Sequence, residues 1–239
     1  MKSITKKQYF LLSSIILLTV LALDQGLKIW VLKNMYLGQT KQMLGNWFYL
    51  HFTENNGMAF GVELGGITGK LILTAFRLLA VAGIIWYLIK QIRENAHIGL
   101  IACISLILAG ALGNIIDSVF YGVWFNEYVT YTDKGSYFLG RVVDMLYFPI
   151  IETHYPSWFP GWGGQDFTFF RPIFNLADTS ISTGVISIIV FQKRFFGNQL
   201  EEPLLSDESE NDAEDVNSVA EENTVQNEES NSEESDKEI

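Results

Sequence analysis

The stretch "RPIFNLADTSISTGVISIIVF", residues 171–191, opens as a membrane-spanning run and carries an aspartate, Asp178, about two helical turns in. An ionised carboxylate in hydrocarbon costs on the order of several kcal/mol unless it is paired, hydrated or neutralised. Reading this run as a span therefore makes Asp178 a candidate functional residue. The rest of the chain has to supply its partners.

Three further runs reach the roughly 20 apolar residues that a bilayer core requires. Spans are expected at 9–31, 69–89, 98–119 and 173–195, which predicts a mainly α membrane protein with four transmembrane helices. The first run starts like a secretory signal, with Lys2, Lys6 and Lys7, but it lacks an A-x-A cleavage site and continues past Asp24 into "QGLKIWVL". It reads as a retained helix. Lys2, Lys6 and Lys7, then Lys90 and Arg93, then Lys193 and Arg194 fall in three short flanks that must share a side. The positive-inside rule places both termini in the cytoplasm, so segments 32–68 and 120–172 face outward.

Within the first outer segment, "NWFYLHFTENNGMAFGV" (46–62) joins aromatic strand formers to an Asn-Asn-Gly turn signal and predicts a small hairpin sheet on the membrane surface. The second sets Trp124, Tyr128, Tyr131, Trp158, Phe159 and Trp162 among Gly and Pro. Such aromatics suit the headgroup region.

Bulk composition averages two unlike pieces. Of the 239 residues, those from Glu201 onward hold sixteen Asp/Glu against a single Lys237, with no aromatic residue. That stretch, 201–239, reads as a disordered acidic cytoplasmic tail, separate from a membrane domain at 1–200. Setting aside its charge of −15 against the chain's −11 leaves about +4 on the body, so the acidity describes the tail. The one cysteine, Cys103, lies in an apolar run and excludes an internal disulfide or a CxxC knuckle. His51, His97 and His154 are scattered and form no metal-ligand spacing. With no P-loop, GxGxxG or GxSxG present, neither nucleotide or nucleic-acid binding nor a serine nucleophile is expected.

The intramembrane polar groups converge in depth. At 1.5 Å per residue, Asp24 lies about 22 Å and Asn114 about 24 Å from the cytoplasmic side, while Asp178 sits a turn or two below the outer surface. Asp117 follows Asn114 by one turn, and Asp144 comes at the end of the outer connection, in "GRVVDMLYFP". A pocket opening outward is their common location. Singly, each has a blander reading. Asp24 and Lys28, spaced i,i+4, make a helix ion pair with or without a site. Arg77, in "LILTAFRLLAVAG", either snorkels or neutralises a carboxylate. Asn114 and Asn175 serve equally as interhelical hydrogen-bond glue. Two close carboxylates do what one cannot: if Asp144 and Asp178 approach, repulsion lets one stay ionised as a base while the other keeps a proton as an acid. That is aspartyl-protease chemistry, which calls for no metal and no cofactor.

Read in order, "DQGLK" (24–28), "ENNGMAFG" (54–61), "GALGNIIDS" (110–118), "GRVVDML" (140–146) and "FNLADTSIS" (174–182) resemble the lipoprotein signal peptidases, also called signal peptidase II. The resemblance covers nearly all of 8–196. It implies a four-helix aspartyl peptidase of the bacterial inner membrane that cuts prolipoproteins just before a diacylglyceryl-modified cysteine. It also implies a β-sheet cradle and an outer lid, lipids and prolipoproteins as partners, and a monomer. The catalytic aspartates it implies are Asp144 and Asp178. Supporting residues fall on Asp24, Lys28, Asn55, Gly57, Asn114, Asp117 and Asn175. Ser118 stands where the family usually has Arg, with Arg141 and Arg77 as candidate replacements for that cation. Added length after Gly122 and at 151–170 is expected to enlarge the lid.

Two other classes explain some of these features. A small transporter or proton channel would use the aspartates as a relay, but should show broken helices or a duplicated half; only "GALGN" hints at a break. A non-catalytic assembly factor would not need both aspartates. A presenilin-type protease would need GxGD, which is absent.

Overall fold

A computed structural model describes residues 5–56, 66–129, 135–149, 151–154, 166–169 and 173–200. Among the described residues, three helices are long and apolar enough to cross a membrane: α1 (Lys6–Asn34), α2 (Gly66–Arg93) and α3 (Ile98–Trp124). Each outlasts its expected span. Thr5 and Gln8 form a reciprocal capping box at the start of α1, and His97 Nδ1 accepts the Gly99 N–H at the start of α3. The chain divides into two compact units, Met1–Val190 and Phe191–Ile239. The second unit contains α5 (Gln192–Leu200), in which the Arg194 and Phe195 N–H groups donate to Phe191 O.

The fourth apolar run differs from expectation. Instead of one helix over 173–195, Ile173–Phe174 form a short strand and the helix α4 covers only Leu176–Val190, 15 residues. The start is moved by Asn175, whose Oδ1 accepts the Asp178 N–H at 2.9 Å while Asp178 Oδ2 faces the Asn175 N–H at 3.4 Å. This N-x-x-D arrangement is a capping box, which ties off the first turn and fixes where α4 begins.

The strands are β1 (Thr40–Leu44), β2 (Phe48–Asn55), β3 (Val142–Tyr147), β4 (Ile151–His154), β5 (Asp166–Phe169) and β6 (Ile173–Phe174). An antiparallel sheet has the order β1-β2-β3-β6, and β4 pairs with β5 in a separate hairpin. A hairpin joins β1 to β2 by a turn between Leu44 and Phe48, where Gly45 takes φ 46°; the turn expected at Asn-Asn-Gly runs into 57–65, outside the described residues. Glycine enters that left-handed region without the penalty of a Cβ. Asn55 ends β2 opposite Val142, so the long partner of β2 is β3, from far along the chain.

The sheet rests on the ends of α1 and α3. Val31, Leu32 and Met35 of α1 pack with Leu50 and Phe52 of β2, Tyr121 of α3, and Val143 and Met145 of β3. Since strand side chains alternate, burying Val143 and Met145 there turns Asp144 to the other face. A bulge between Leu50 and Thr53 of β2 lies beside it.

After α3 the chain makes an excursion and returns along the helix it left. Gly135 N–H donates to Gly122 O at 2.7 Å, Phe138 N–H to Val119 O at 3.0 Å and Gly140 N–H to Ser118 O at 2.9 Å. A Cβ on Gly140 would collide with Asp117 O, so this return requires glycine. Lys70 Nζ of α2 donates to Leu139 O beside the same seam.

α3 is continuous through "GALGN", which removes the one hint of a broken helix. Its glycines permit close packing instead. A Cβ at Gly110 would run into Ala177 O, and one at Gly113 would lie 2.7 Å from Asp24 Oδ2.

Candidate active site

At the end of α3 that meets the sheet, buried polar groups from α1, α3, β3 and α4 join in one network. Its centre is Lys28, 0 % exposed, whose ammonium reaches Asp24 Oδ2 at 2.9 Å, Asp117 Oδ2 at 2.7 Å and Asn114 Oδ1 at 3.1 Å. An ammonium has three donors and no acceptor, so these contacts use it fully. They also orient Asn114: with its oxygen held by Lys28, its Nδ2 must point away, and it donates to Asp178 Oδ1 at 2.8 Å.

Asn175 ties the two carboxylates of interest together. Its Nδ2 donates to Asp144 Oδ1 at 2.7 Å and to Asn114 Oδ1 at 3.2 Å, while its backbone N–H faces Asp178 in the capping box. The second oxygen of Asp144 accepts from Asn55 Nδ2 at 3.1 Å. Asn55 can reach because Asp144 pairs with Thr53, two residues away on the same face of β2. Asp144 is buried, and its carboxyl is pushed up to about 7, first by burial and then by the charge of Asp178; the Asn55 and Asn175 amides and Lys28 oppose the rise. The arrangement can hold one proton on a carboxylate pair near neutral pH, which is what acid–base hydrolysis of an amide needs.

The remaining expected residues support this pair from behind. Asp24 Oδ1 accepts the Ala177 N–H at 2.9 Å, so α1 helps cap the first turn of α4. Asp117 Oδ2 faces the Val143 N–H at 3.4 Å, which fixes β3 one residue before Asp144. The Asp24–Lys28 pair is thus both a helix ion pair and a part of the network, and Asn114 and Asn175 are both interhelical bridges and neighbours of the carboxylates. Arg141 Nη1 lies 4.0 Å from Glu54 Oε2, next to Asn55 in β2. Arg77 Nη1 donates to Ser118 Oγ at 3.1 Å. Gly57 lies outside the described residues.

Two members were not foreseen. Gln25 Nε2 donates to Asp117 Oδ1 at 3.0 Å and Asp24 Oδ2 at 3.1 Å, and its Oε1 accepts from the Tyr121 hydroxyl at 2.9 Å. The signal was present: Gln25 follows Asp24 in a helix interior, and Tyr121 lies one turn past Asp117 on α3.

The chain is similar to known membrane peptidases over most of its length. Residues 16–194 match the family described as Signal peptidase (SPase) II. The chain is 47% identical over 188 residues to a lipoprotein signal peptidase of Porphyromonas gingivalis (strain W83), covering 75% of this chain and 81% of that protein. It is 43% identical over 182 residues to a lipoprotein signal peptidase of Amoebophilus asiaticus (strain 5a2), covering 75% and 76% respectively. A solved "Bacterial membrane enzyme structure by the in meso method at 2.3 A resolution" aligns with a TM-score of 0.52 at 28% identity, over 78% of this chain and 90% of that one. The chain belongs to the signal peptidase II family.

Proposed function

We propose that the protein is a bacterial membrane aspartyl endopeptidase that removes signal peptides from diacylglyceryl-modified prolipoproteins by cutting before the lipidated cysteine. Family membership supports the peptidase and its prolipoprotein substrates, and leaves the relay and assembly-factor readings without support. One observation carries the aspartyl assignment: Asn175 hydrogen-bonds Asp144 and also caps with Asp178, so two carboxylates from distant segments share one buried neighbour.

The chemistry follows from the pair carrying a single proton. Asp144, pushed up to about 7, serves as the acid, and Asp178 serves as the base. Water gives a proton to Asp178 as its oxygen bonds to the scissile carbonyl carbon, and Asp144 passes its proton to the carbonyl oxygen. The diol then collapses. One hydroxyl proton returns to Asp144, the C–N bond breaks, and Asp178 protonates the departing cysteine nitrogen. Asn114, Asn175 and Asn55 orient the carboxylates, while Asp24, Lys28 and Asp117 hold the elements that carry them. We assign Gly57 a role in ordering the substrate backbone, in keeping with the family resemblance, and Arg141 supports the β2–β3 edge through Glu54.

In the bilayer we place four spans, with α4 the shortest because its first turn starts below the outer surface. Its 15 residues give about 22 Å of helix. Both termini are cytoplasmic, the site faces outward in the inner membrane, and the enzyme works as a monomer among lipids. The sheet serves as cradle and the enlarged 120–172 connection as lid.

The direct test is a gel-shift assay with purified enzyme on a diacylglyceryl-modified prolipoprotein and its unlipidated form. Cleavage of the lipidated form alone is expected; equal cleavage of both would remove the lipid from the specificity, and no cleavage by folded protein would remove the function. We read residues 201–239 as an acidic cytoplasmic tail apart from the peptidase. Deleting them leaves kcat/KM unchanged, and a large loss in the same assay would bring the tail into the enzyme.

A further inference from the structure

The three contacts of the Lys28 ammonium go to α1 and α3, while α2 carries a cation of its own in the middle of an apolar run. Arg77 does not escape to the lipid side. Its helix neighbours Phe76 and Leu79 are 67% and 73% exposed, whereas Thr74 and Val81, three residues before and four after it, are buried. Spacings of three and four put Thr74, Arg77 and Val81 on one face, turned toward the protein. Lys70, four residues before Thr74, continues the same stripe and donates to Leu139 O on the chain returning to β3. The guanidinium ends on Ser118 Oγ, 3.1 Å away, and that hydroxyl donates to Asn114 O at 2.9 Å. Asn114 is the residue that donates to Asp178.

The formal charge around the site explains why a cation is needed there. Lys28 offsets only one of Asp24 and Asp117, and Glu54 and Arg141 balance each other at the edge of β2. Adding an ionised member of the Asp144/Asp178 pair makes a second excess negative charge in a largely buried space. Arg77 acts electrostatically on Asp178 first, then on Asp117 and Asp144. An uncompensated cation in such a helix costs enough that a turned-in arginine has a use.

We propose that Arg77 is a positioning residue of the peptidase: anchored on Ser118, it sets the pH window in which the aspartate pair carries one proton. The proposal rests on the aspartyl-peptidase reading above. Removing a positive charge beside two carboxylates makes each of their ionisations harder, so the whole active window moves to higher pH. An opposite charge at close range is worth one to three pH units, and about one is expected here because the arginine reaches the pair partly through Ser118.

The experiment is the pH dependence of kcat/KM on a lipidated prolipoprotein for Arg77→Gln, which keeps a hydrogen-bond donor for Ser118 but not the charge, and Arg77→Lys, which keeps the charge. Arg77→Gln should move both limbs up by about one unit and lower kcat/KM on the acid side about tenfold, while Arg77→Lys stays close to the wild type. A wild-type window in Arg77→Gln, whatever its rate, overturns the proposal. Should Arg77→Gln fold poorly by thermal unfolding, Ser118→Ala, which removes the hydroxyl that the guanidinium donates to, moves the window the same way by less; an unmoved window there counts equally against it. Difference infrared titration of the protonated-carboxyl band that Asp144→Asn removes reads the same shift without substrate. Protein that cleaves nothing but shows that shift would end the peptidase reading and leave the electrostatic role of Arg77 standing.

Discussion

Asp144→Asn, purified in detergent, cleaves lipidated prolipoprotein at least about 10³-fold more slowly than the wild type and unfolds at a similar temperature. The amide has the same shape but can neither hold a transferable proton nor take one. Its fold is preserved because the new side chain keeps its oxygen on the Asn175 Nδ2 donor, and the contact it disturbs is with the half-buried Asn55. Asp178→Asn loses activity to the same extent but is less stable. Asp178 accepts from Asn114 Nδ2 with one oxygen and from the Asn175 N–H with the other, so an amide there opposes a donor with a donor in either orientation. Asn114 cannot turn to relieve this, since Lys28 holds its oxygen. The penalty is about 1–3 kcal/mol. In the wild type, kcat/KM falls as pH rises past about 7, where Asp144 loses its proton. Turnover within tenfold of wild type in either variant would take that aspartate out of the chemistry.

The second large effect is on stability. Lys28→Met leaves Asp24, 1% exposed, and Asp117, 0% exposed, facing each other across a site from which their shared cation has gone. Breaking a buried pair by removing one partner costs about 3–5 kcal/mol, because the remaining charge is neither hydrated nor matched. Thermal unfolding in detergent should show Lys28→Met strongly destabilised. Adding Asp117→Asn to it should recover part of the loss, since the second change removes a stranded charge. A Lys28→Met protein as stable as the wild type, or a double variant worse than the single by a full second penalty, would mean that the network is not the keystone it looks to be from its geometry.

How much of this could be read from residues alone depended on the range of the interaction. Three long apolar helices follow from run length, which is a property of the solvent they sit in. The convergence of Asp24, Asn114, Asp117 and Asp178 followed from counting rise along those helices. What periodicity obscured was the local chemistry of "FNLAD". Hydropathy made it the mouth of a span; the spacing of Asn175 and Asp178 makes it a capping box, and strand pairing to β3 claims the two residues before it. The long partner of β2 is hidden for a related reason: β3 lies some ninety residues on in sequence, and no local turn signal points to it. Gln25 escaped notice because an uncharged amide next to an aspartate carries no special signal until Tyr121 and Asp117 are folded against it.

The seam along α3 has a consequence for how such an enzyme can diverge. Because the chain leaves at Gly122 and is stitched back through Gly135, Phe138 and Gly140, the spacing between the helix end and Asp144 is set by backbone bonds and not by the length of chain between them. Residues can be gained or lost within the excursion without changing the approach of β3 to the helices. The chain between Gly122 and Gly135 is thereby free to be rewritten between lineages while Asp144 is inherited in place.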